Sequence, residues 1–304
     1  MKKQQKVMCG IINTKKISEA DVVILGAGYE KTASSRKGTV NGPATIVKCL
    51  ENKLEFFDRT FKSEPAEHIS IAYKNIPNIN TLSPEKALAK ITGESKKRLG
   101  GGAFVFLLGG EHSVSLGLLQ ALAETTKPEE TTILHIDAHS DMRDDDSDYS
   151  AKPSRYAHSC VMRRASELGY PIVQVGIRTY SRDEYEYFSN PKNNVTVFEW
   201  GLAGKPVSPI TNILRAIKTK NVYISIDVDG FDPSVMPGTG TPVQGGLEWW
   251  YGIELMTKTI AEKNLVGADI VEVSPMRDSV LTEYGAAQLF YTIIAQKFSN
   301  RFTQ

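Results

Sequence analysis

Residues 222–233 read Val222-Tyr223-Ile224-Ser225-Ile226-Asp227-Val228-Asp229-Gly230-Phe231-Asp232-Pro233. Val222–Ile226 is a short run rich in β-branched and aromatic residues. Such runs, bounded by turn residues, read as strands buried on both faces, as the strands of parallel sheets are. A turn crowded with carboxylates follows directly. Open α/β sheets bind ligands outside the carboxyl ends of their strands, so acids placed there mark where a site should lie. The same grammar recurs at Val22–Gly26, Ile69–Tyr73, Phe104–Leu108, Thr132–Ile136, Ile172–Gly176, Val195–Phe198 and Ala268–Val273. Helical segments lie between these runs. Ser83-Pro84-Glu85 reads as a helix start, with a capping hydroxyl, proline at the first position and an acid in the first turn. Glu248–Lys263 and Thr282–Phe298 space apolar residues three and four apart. Eight strand-and-helix units predict an α/β fold, a three-layer α/β/α arrangement with an eight-stranded, mostly parallel sheet. No repeat or low-complexity linker interrupts the pattern, so residues 1–304 are expected to form one domain.

Composition excludes several function classes. Lys and Arg number 36 and Asp and Glu 35, a net charge of +1. Nucleic-acid and membrane-surface binders need a basic excess, so neither partner is expected. At 41% hydrophobic and 23% charged residues the chain is ordinary globular material. Cys9, Cys49 and Cys160 are odd in number and contain no Cys-x-x-Cys pair, which argues against a disulfide framework or a zinc ribbon. No apolar stretch follows the charged segment Met1–Lys6, so no signal peptide is expected. No apolar run approaches the roughly 18 residues of a membrane span. The expectation is a soluble, reduced, cytoplasmic protein.

Four strand ends carry unusual chemistry: Gly109-Gly110-Glu111-His112-Ser113, Asp137-Ala138-His139-Ser140-Asp141, Asp227-Val228-Asp229, and Val271-Glu272-Val273. In extended backbone, residues two apart share a face. Asp137, His139 and Asp141 can therefore converge, and Asp227 and Asp229 can join them from another strand. Four carboxylates so placed repel one another, and buried charge is costly unless paired or metal-bound. Two divalent cations would neutralise them. Oxygen donors with two imidazoles, His112 and His139, suit Mn²⁺ better than a thiolate-type zinc site, although Zn²⁺, Co²⁺ and Fe²⁺ accept similar ligands. Single residues of these kinds are ordinarily structural. Asp232 before Pro233 reads as a turn residue, and His135 and His68 as structural histidines.

The three segments Gly-Gly-Glu-His-Ser, Asp-Ala-His-Ser-Asp and Ser-Ile-Asp-Val-Asp-Gly-Phe-Asp-Pro resemble the signatures of the ureohydrolase family of arginase, agmatinase, guanidinobutyrase and formiminoglutamase. Pro237-Gly238-Thr239-Gly240-Thr241-Pro242 and Gly245-Gly246-Leu247 are similar to that family's active-site loop, and Arg36, Gly38, Gly42 and Pro43 to its N-terminal pattern. The resemblance extends from about residue 20 to the last helix and is closest to agmatinase. It implies an arginase/deacetylase-like fold and a hydrolase with two Mn²⁺ per subunit, assembled as a trimer or hexamer. His112, Asp137, Asp141 and Asp227 would hold one metal. Asp137, His139, Asp227 and Asp229 would hold the other. His158, in Tyr156-Ala157-His158, takes the position of the family's active-site histidine, although Ser159-Cys160 stand where agmatinases have residues closer to Gly-Thr. Glu272 matches the glutamate that pairs with the guanidinium.

The chemistry accounts for these parts. A guanidinium carbon is a poor electrophile and needs hydroxide, which a metal makes available by lowering the pKa of water towards about 7. Glu272 would orient the guanidinium. The leaving amine departs better when protonated, and His158, with an ordinary pKa near 6.5, would carry that proton. The reaction implied is agmatine plus water giving putrescine and urea, a step of polyamine biosynthesis. Alternatives are guanidinobutyrate, arginine or formiminoglutamate as substrate, a single-zinc deacetylase, or a non-catalytic binding protein of the same fold. The segment Met142–Tyr149 follows the second motif and is strongly acidic, which favours a substrate ending in an ammonium over one carrying an α-carboxylate.

Overall fold

The structure, a computed structural model, describes residues 10–202 and 206–303; Met1–Lys6 and Cys9, read above for targeting and redox state, lie outside them. Eight strands form one sheet: β1 (Val22–Ala27), β2 (Ile71–Asn75), β3 (Phe104–Gly109), β4 (Thr131–Ile136), β5 (Ile172–Ile177), β6 (Val195–Glu199), β7 (Asn221–Asp227) and β8 (Asn264–Val271). Their order is β2-β1-β3-β8-β7-β4-β5-β6, and every pairing is parallel. The six inner strands are buried almost throughout. The edge strands β2 and β6 are only partly so, and β6 has no fully buried residue.

Alternation along each strand splits the core into two layers. Val22, Ile24, Phe104, Phe106 and Leu108 face one apolar layer, and Val23, Leu25, Val105 and Leu107 the other. The first layer is completed by the helices α1 (Gly42–Asn52), α6 (Ile210–Ala216), α7 (Trp249–Glu262) and α8 (Leu281–Lys297). The second is completed by α2 (Pro84–Leu99), α3 (Ser115–Leu122) and α4 (Val161–Glu167). A further helix, α5 (Arg182–Ser189), begins in a capping box between Ser181 and Glu184. Helices thus cover both faces, giving the three-layer α/β/α arrangement expected from the sequence. Among the described residues no helix is long and apolar enough to cross a membrane.

Three local readings are corrected. Strand β8 begins at Asn264, earlier than the apolar run from Ala268 implies, because Asn264–Gly267 pairs with β7. Gly267 eases the packing there: a Cβ would sit 3.0 Å from the Tyr223 ring. Strand β2 begins at Ile71, two residues late, since Ser70 turns its hydroxyl and backbone N–H to the Asp21 carboxylate. Ser83 does precede α2 in extended backbone, but its hydroxyl makes no capping bond.

Candidate active site

The predicted residues arrive from neighbouring strands at the centre of the sheet. His112 lies in the turn after β3, Asp227 and Asp229 end β7, Asp137, His139 and Asp141 follow β4, and Glu272 follows β8. The turn before His112 needs a glycine at 110, because a Cβ there would lie 2.0 Å from the Tyr29 carbonyl oxygen. Asp141 and Glu272 both adopt left-handed backbone, with φ of 54° and 60°. Conformations of this kind cost an ordinary residue free energy and cluster at functional sites.

His112 is the hub. Its Nδ1 lies 3.1 Å from Asp137 Oδ2, 3.2 Å from Asp141 Oδ2 and 3.3 Å from Asp227 Oδ2, and it has no hydrogen-bond partner. Its Nε2 is engaged by Ser225 Oγ at 2.9 Å, and Ser225 in turn donates to Asp269 Oδ1. An orphaned buried lone pair facing three carboxylate oxygens, with the opposite nitrogen fixed, is what a metal-ligating histidine requires. His139 Nδ1 lies 3.1 Å from Asp229 Oδ2 and 3.5 Å from Asp137 Oδ1. Two donor groups emerge: His112, His135, Asp137 and Asp141, and Asp137, His139 and Asp229. Asp137 belongs to both. Asp227 stands against the first through His112, and accepts the Asp229 backbone N–H at 2.9 Å. This His/Asp cluster is a metal-binding motif of the binuclear type.

His135 enters the first group by proximity, but both its nitrogens are committed. Nε2 lies 2.8 Å from Asp137 Oδ2, and Nδ1 lies 2.9 Å from Gln174 Nε2. It braces Asp137, which accords with a structural reading.

Charge in the cluster is out of balance when only protons are available to offset it. Burial works against a charged His112, yet the Asp137, Asp141 and Asp227 carboxylates crowding its Nδ1 raise it well above the ordinary histidine value. Burial likewise opposes a charged His139, and Asp229 and Asp137 outweigh it. Burial, with Asp137 beside it, pushes Asp141 up to about 6. Burial and the neighbouring Asp229 and Asp137 carry Asp227 well above the carboxylate range. Protons occupy places that cations would take, so metal binding must release them.

Glu272 and His158 stand beside the cluster. Glu272 accepts the His112 backbone N–H at 2.7 Å, and His158 Nδ1 lies 3.8 Å from its Oε1. Burial, then Glu111, raises Glu272 well above the usual range. Burial, then the charges on His139 and His112, lowers His158 to about 4. His158 is therefore neutral at neutral pH, below the ordinary value taken from the sequence, and can deliver only a proton that it has first accepted. Its Nε2 is buried without a partner.

Two supporting residues were not singled out from the sequence. Glu111 is fully buried and accepts hydrogen bonds from the Thr32 backbone, the Thr32 hydroxyl and Ser113. The Thr32 hydroxyl accepts the His158 backbone N–H at 3.1 Å, so Glu111 anchors the turn that carries His158. Arg178, just after β5, directs its guanidinium N–H groups to the carbonyls of Gly176, Asp229, Gly230, Phe231, Val243 and Gln244. It clasps the Asp229 turn to the loop 243–244. The one signal in the sequence is an arginine placed directly after a strand. Asp232 is the turn residue expected: it accepts from Ser234, Gly245 and Gly246.

The cluster opens into a cavity of about 260 Å³ lined by His139, Asp141, Arg143, Tyr149, His158 and Tyr180, among others. The acidic segment Met142–Tyr149 does not present its acids there. Asp144 pairs with Arg155 and Arg164, Asp145 accepts the Ser147 backbone N–H, Asp146 is buried on the Ser154 backbone, and Asp148 pairs with Arg143. The acids are neutralised by local arginines and turns. Asp144→Asn and Asp145→Asn should accordingly leave the ratio of kcat/KM between amine-tailed and carboxylate-bearing guanidines within about twofold of the parent, as surface substitutions do. A tenfold change in steady-state selectivity would show that these acids act on substrate.

Comparison with known proteins accords with this geometry. The chain is 33% identical over 91% of its length to an N(1)-aminopropylagmatine ureohydrolase of Synechocystis, covering 89% of that protein. It is 32% identical to an agmatinase of Bacillus anthracis, with 86% of each chain aligned. Its structure superposes on the crystal structure of a hypothetical agmatinase from Burkholderia thailandensis with a TM-score of 0.82 at 25% identity, covering 97% of this chain and 91% of the other. The arginase family pattern matches residues 20–295, and the chain belongs to the arginase family.

Proposed function

We propose that the protein hydrolyses the guanidino group of an amine-tailed alkylguanidine, agmatine being the simplest, and releases urea and the amine. The observation carrying this reading is the unpartnered His112 Nδ1 ringed by Asp137, Asp141 and Asp227, with Glu272 and His158 at the mouth. His112, Asp137, Asp141 and Asp227 would hold one Mn²⁺, and Asp137, His139, Asp227 and Asp229 the other. Bound there, the cations would supply the water-derived nucleophile at neutral pH. Glu272 takes one edge of the guanidinium and fixes its plane. His158 accepts a proton at its free Nε2 and passes it to the departing amine nitrogen. We read the protein as a cytoplasmic homo-oligomer of one domain per chain.

Aminopropylagmatine is a second substrate reading, favoured because four curated relatives bear the name N(1)-aminopropylagmatine ureohydrolase. Arginine is disfavoured: Arg143, the cation lining the cavity, is already paired with Asp148, so among the described residues an α-carboxylate meets no free lysine or arginine there. Urea release with Mn²⁺ added tests the reading. The kcat/KM for agmatine or its aminopropyl derivative should exceed that for arginine by at least about 10²-fold. A preference for arginine or guanidinobutyrate overturns the substrate, and no urea from any guanidine overturns the function.

Glu272→Gln keeps shape and removes charge. Cutting one side of a buried ion pair costs about 3–5 kcal/mol, so kcat/KM on agmatine should fall by about 10²–10⁴-fold. An unchanged value would place Glu272 outside the substrate site.

A further inference from the structure

Tyr180 lines two cavities at once. One is the space over the metal-ligand cluster. The other is an adjoining recess of about 370 Å³ that reaches Glu199 and Trp200. Tyr180 and Tyr185 are 37% and 52% exposed and lie 6.2 Å apart as a stacked pair. Phe188 packs edge-on to both, with ring centroids 5.1 and 5.5 Å away. This aromatic group stands at the rim of a catalytic cavity, where the face of an aromatic ring attracts cations.

Glu199 accepts the Tyr180 hydroxyl on Oε1, and among the described residues no hydrogen bond engages Oε2. That bond, ahead of burial, pushes the Tyr180 phenol up to about 12, so the phenol is the donor. Arg178 also borders the recess, but its N–H groups are spent on backbone carbonyls. The recess on the other side of the metal cavity carries two cations, Lys31 and Lys152, against one exposed acid, Glu85, and its buried acid, Asp146, is taken by the Ser154 backbone. A cationic tail is better met on the Glu199 side.

The sheet supplies the scale. His139 is bridged to Thr179, and Glu199 on β6 pairs with Ile177 on β5. Two strand spacings separate the strand ends bearing His139 and Glu199, about 10 Å. Agmatine has six bonds from its guanidino carbon to its ammonium and spans about 7 Å, whereas an aminopropyl extension adds four bonds and reaches about 12 Å.

We propose that Tyr180 and Glu199 form a second cation subsite, which takes the distal ammonium of a guanidine whose tail carries two amino groups. The site of reaction assumed is that of the guanidino-hydrolase reading, but the subsite can be tested through product amines without turnover. Titration calorimetry on the Mn²⁺-loaded protein compares 1,4-diaminobutane with its N-(3-aminopropyl) derivative. The parent protein should bind the triamine about tenfold more tightly, the scale of one partly exposed ion pair with a cation–π contact. Glu199→Gln should reduce triamine affinity to the diamine level and leave diamine affinity unchanged, which also reports that the variant is folded, and Tyr180→Leu should weaken triamine binding more than diamine binding. Equal affinities in the parent protein, or a triamine preference that survives Glu199→Gln, overturns the subsite. Urea release from agmatine is the separate arm. If no guanidine is hydrolysed while the triamine preference holds and is lost in Glu199→Gln, the subsite stands and the hydrolase reading falls.

Discussion

Asp227→Asn is expected to yield a folded protein that retains fewer than two cations and releases urea at a rate near background. Asp227 is almost fully buried, its Oδ2 is 3.3 Å from His112 Nδ1 and its Oδ1 braces the Asp229 backbone. Amide for carboxylate preserves shape and the brace but removes one negative charge from the place where both proposed cations would be offset. Elemental analysis of the purified, Mn²⁺-loaded variant checks this. Two firmly held metals with normal turnover would remove Asp227 from the ligand set. Occupancy in the parent protein should also fall with pH. His112, His139 and Asp227 are all raised well above their ordinary values, so cations must displace protons, and acid favours the protons.

His158→Ala should lower turnover by about 10²–10⁴-fold, the range of a positioned acid–base group, while both cations stay bound. Its Nε2 is buried without a partner, and its Nδ1 lies 3.8 Å from Glu272 rather than against the Asp cluster. Burial holds the ring near 4 in this state, so the imidazole is a proton acceptor at neutral pH. Metal content and turnover measured on one preparation separate the roles. Lost metal would make His158 a ligand, and unchanged turnover would move proton transfer elsewhere.

The fold was legible because buried parallel strands leave unbroken apolar runs, and seven of the eight strands begin within about two residues of where those runs place them. The exception, β8, opens with Asn264 and with Gly267, chosen to admit the Tyr223 ring, and neither residue advertises a strand. The spacing of Asp137, His139 and Asp141 likewise let their convergence be read before any coordinates. What could not be read is partnership. The aspartates of residues 144–148 look like a substrate-facing field in one dimension, but Arg143, Arg155 and Arg164 neutralise two of them in three. Glu111 and Arg178 act through Thr32 and through backbone carbonyls, contacts that leave no periodic trace in a sequence.

No hairpin contains the centre, and from His112 to Glu272 it spans more than half of the chain. His112 and Glu272 touch across 160 positions, and β3 lies beside β8, the last of the eight strands in chain order. Contacts this remote in sequence are formed late, because the loop between them must first be closed. The His112 turn after β3 meets the Asp227 turn after β7 only across β8, which lies between those two strands. Closure of the cluster then reports on the integrity of the whole sheet, and a chain cut short before Asn264 would carry every aspartate and histidine of the cluster without the strand that separates and orders them.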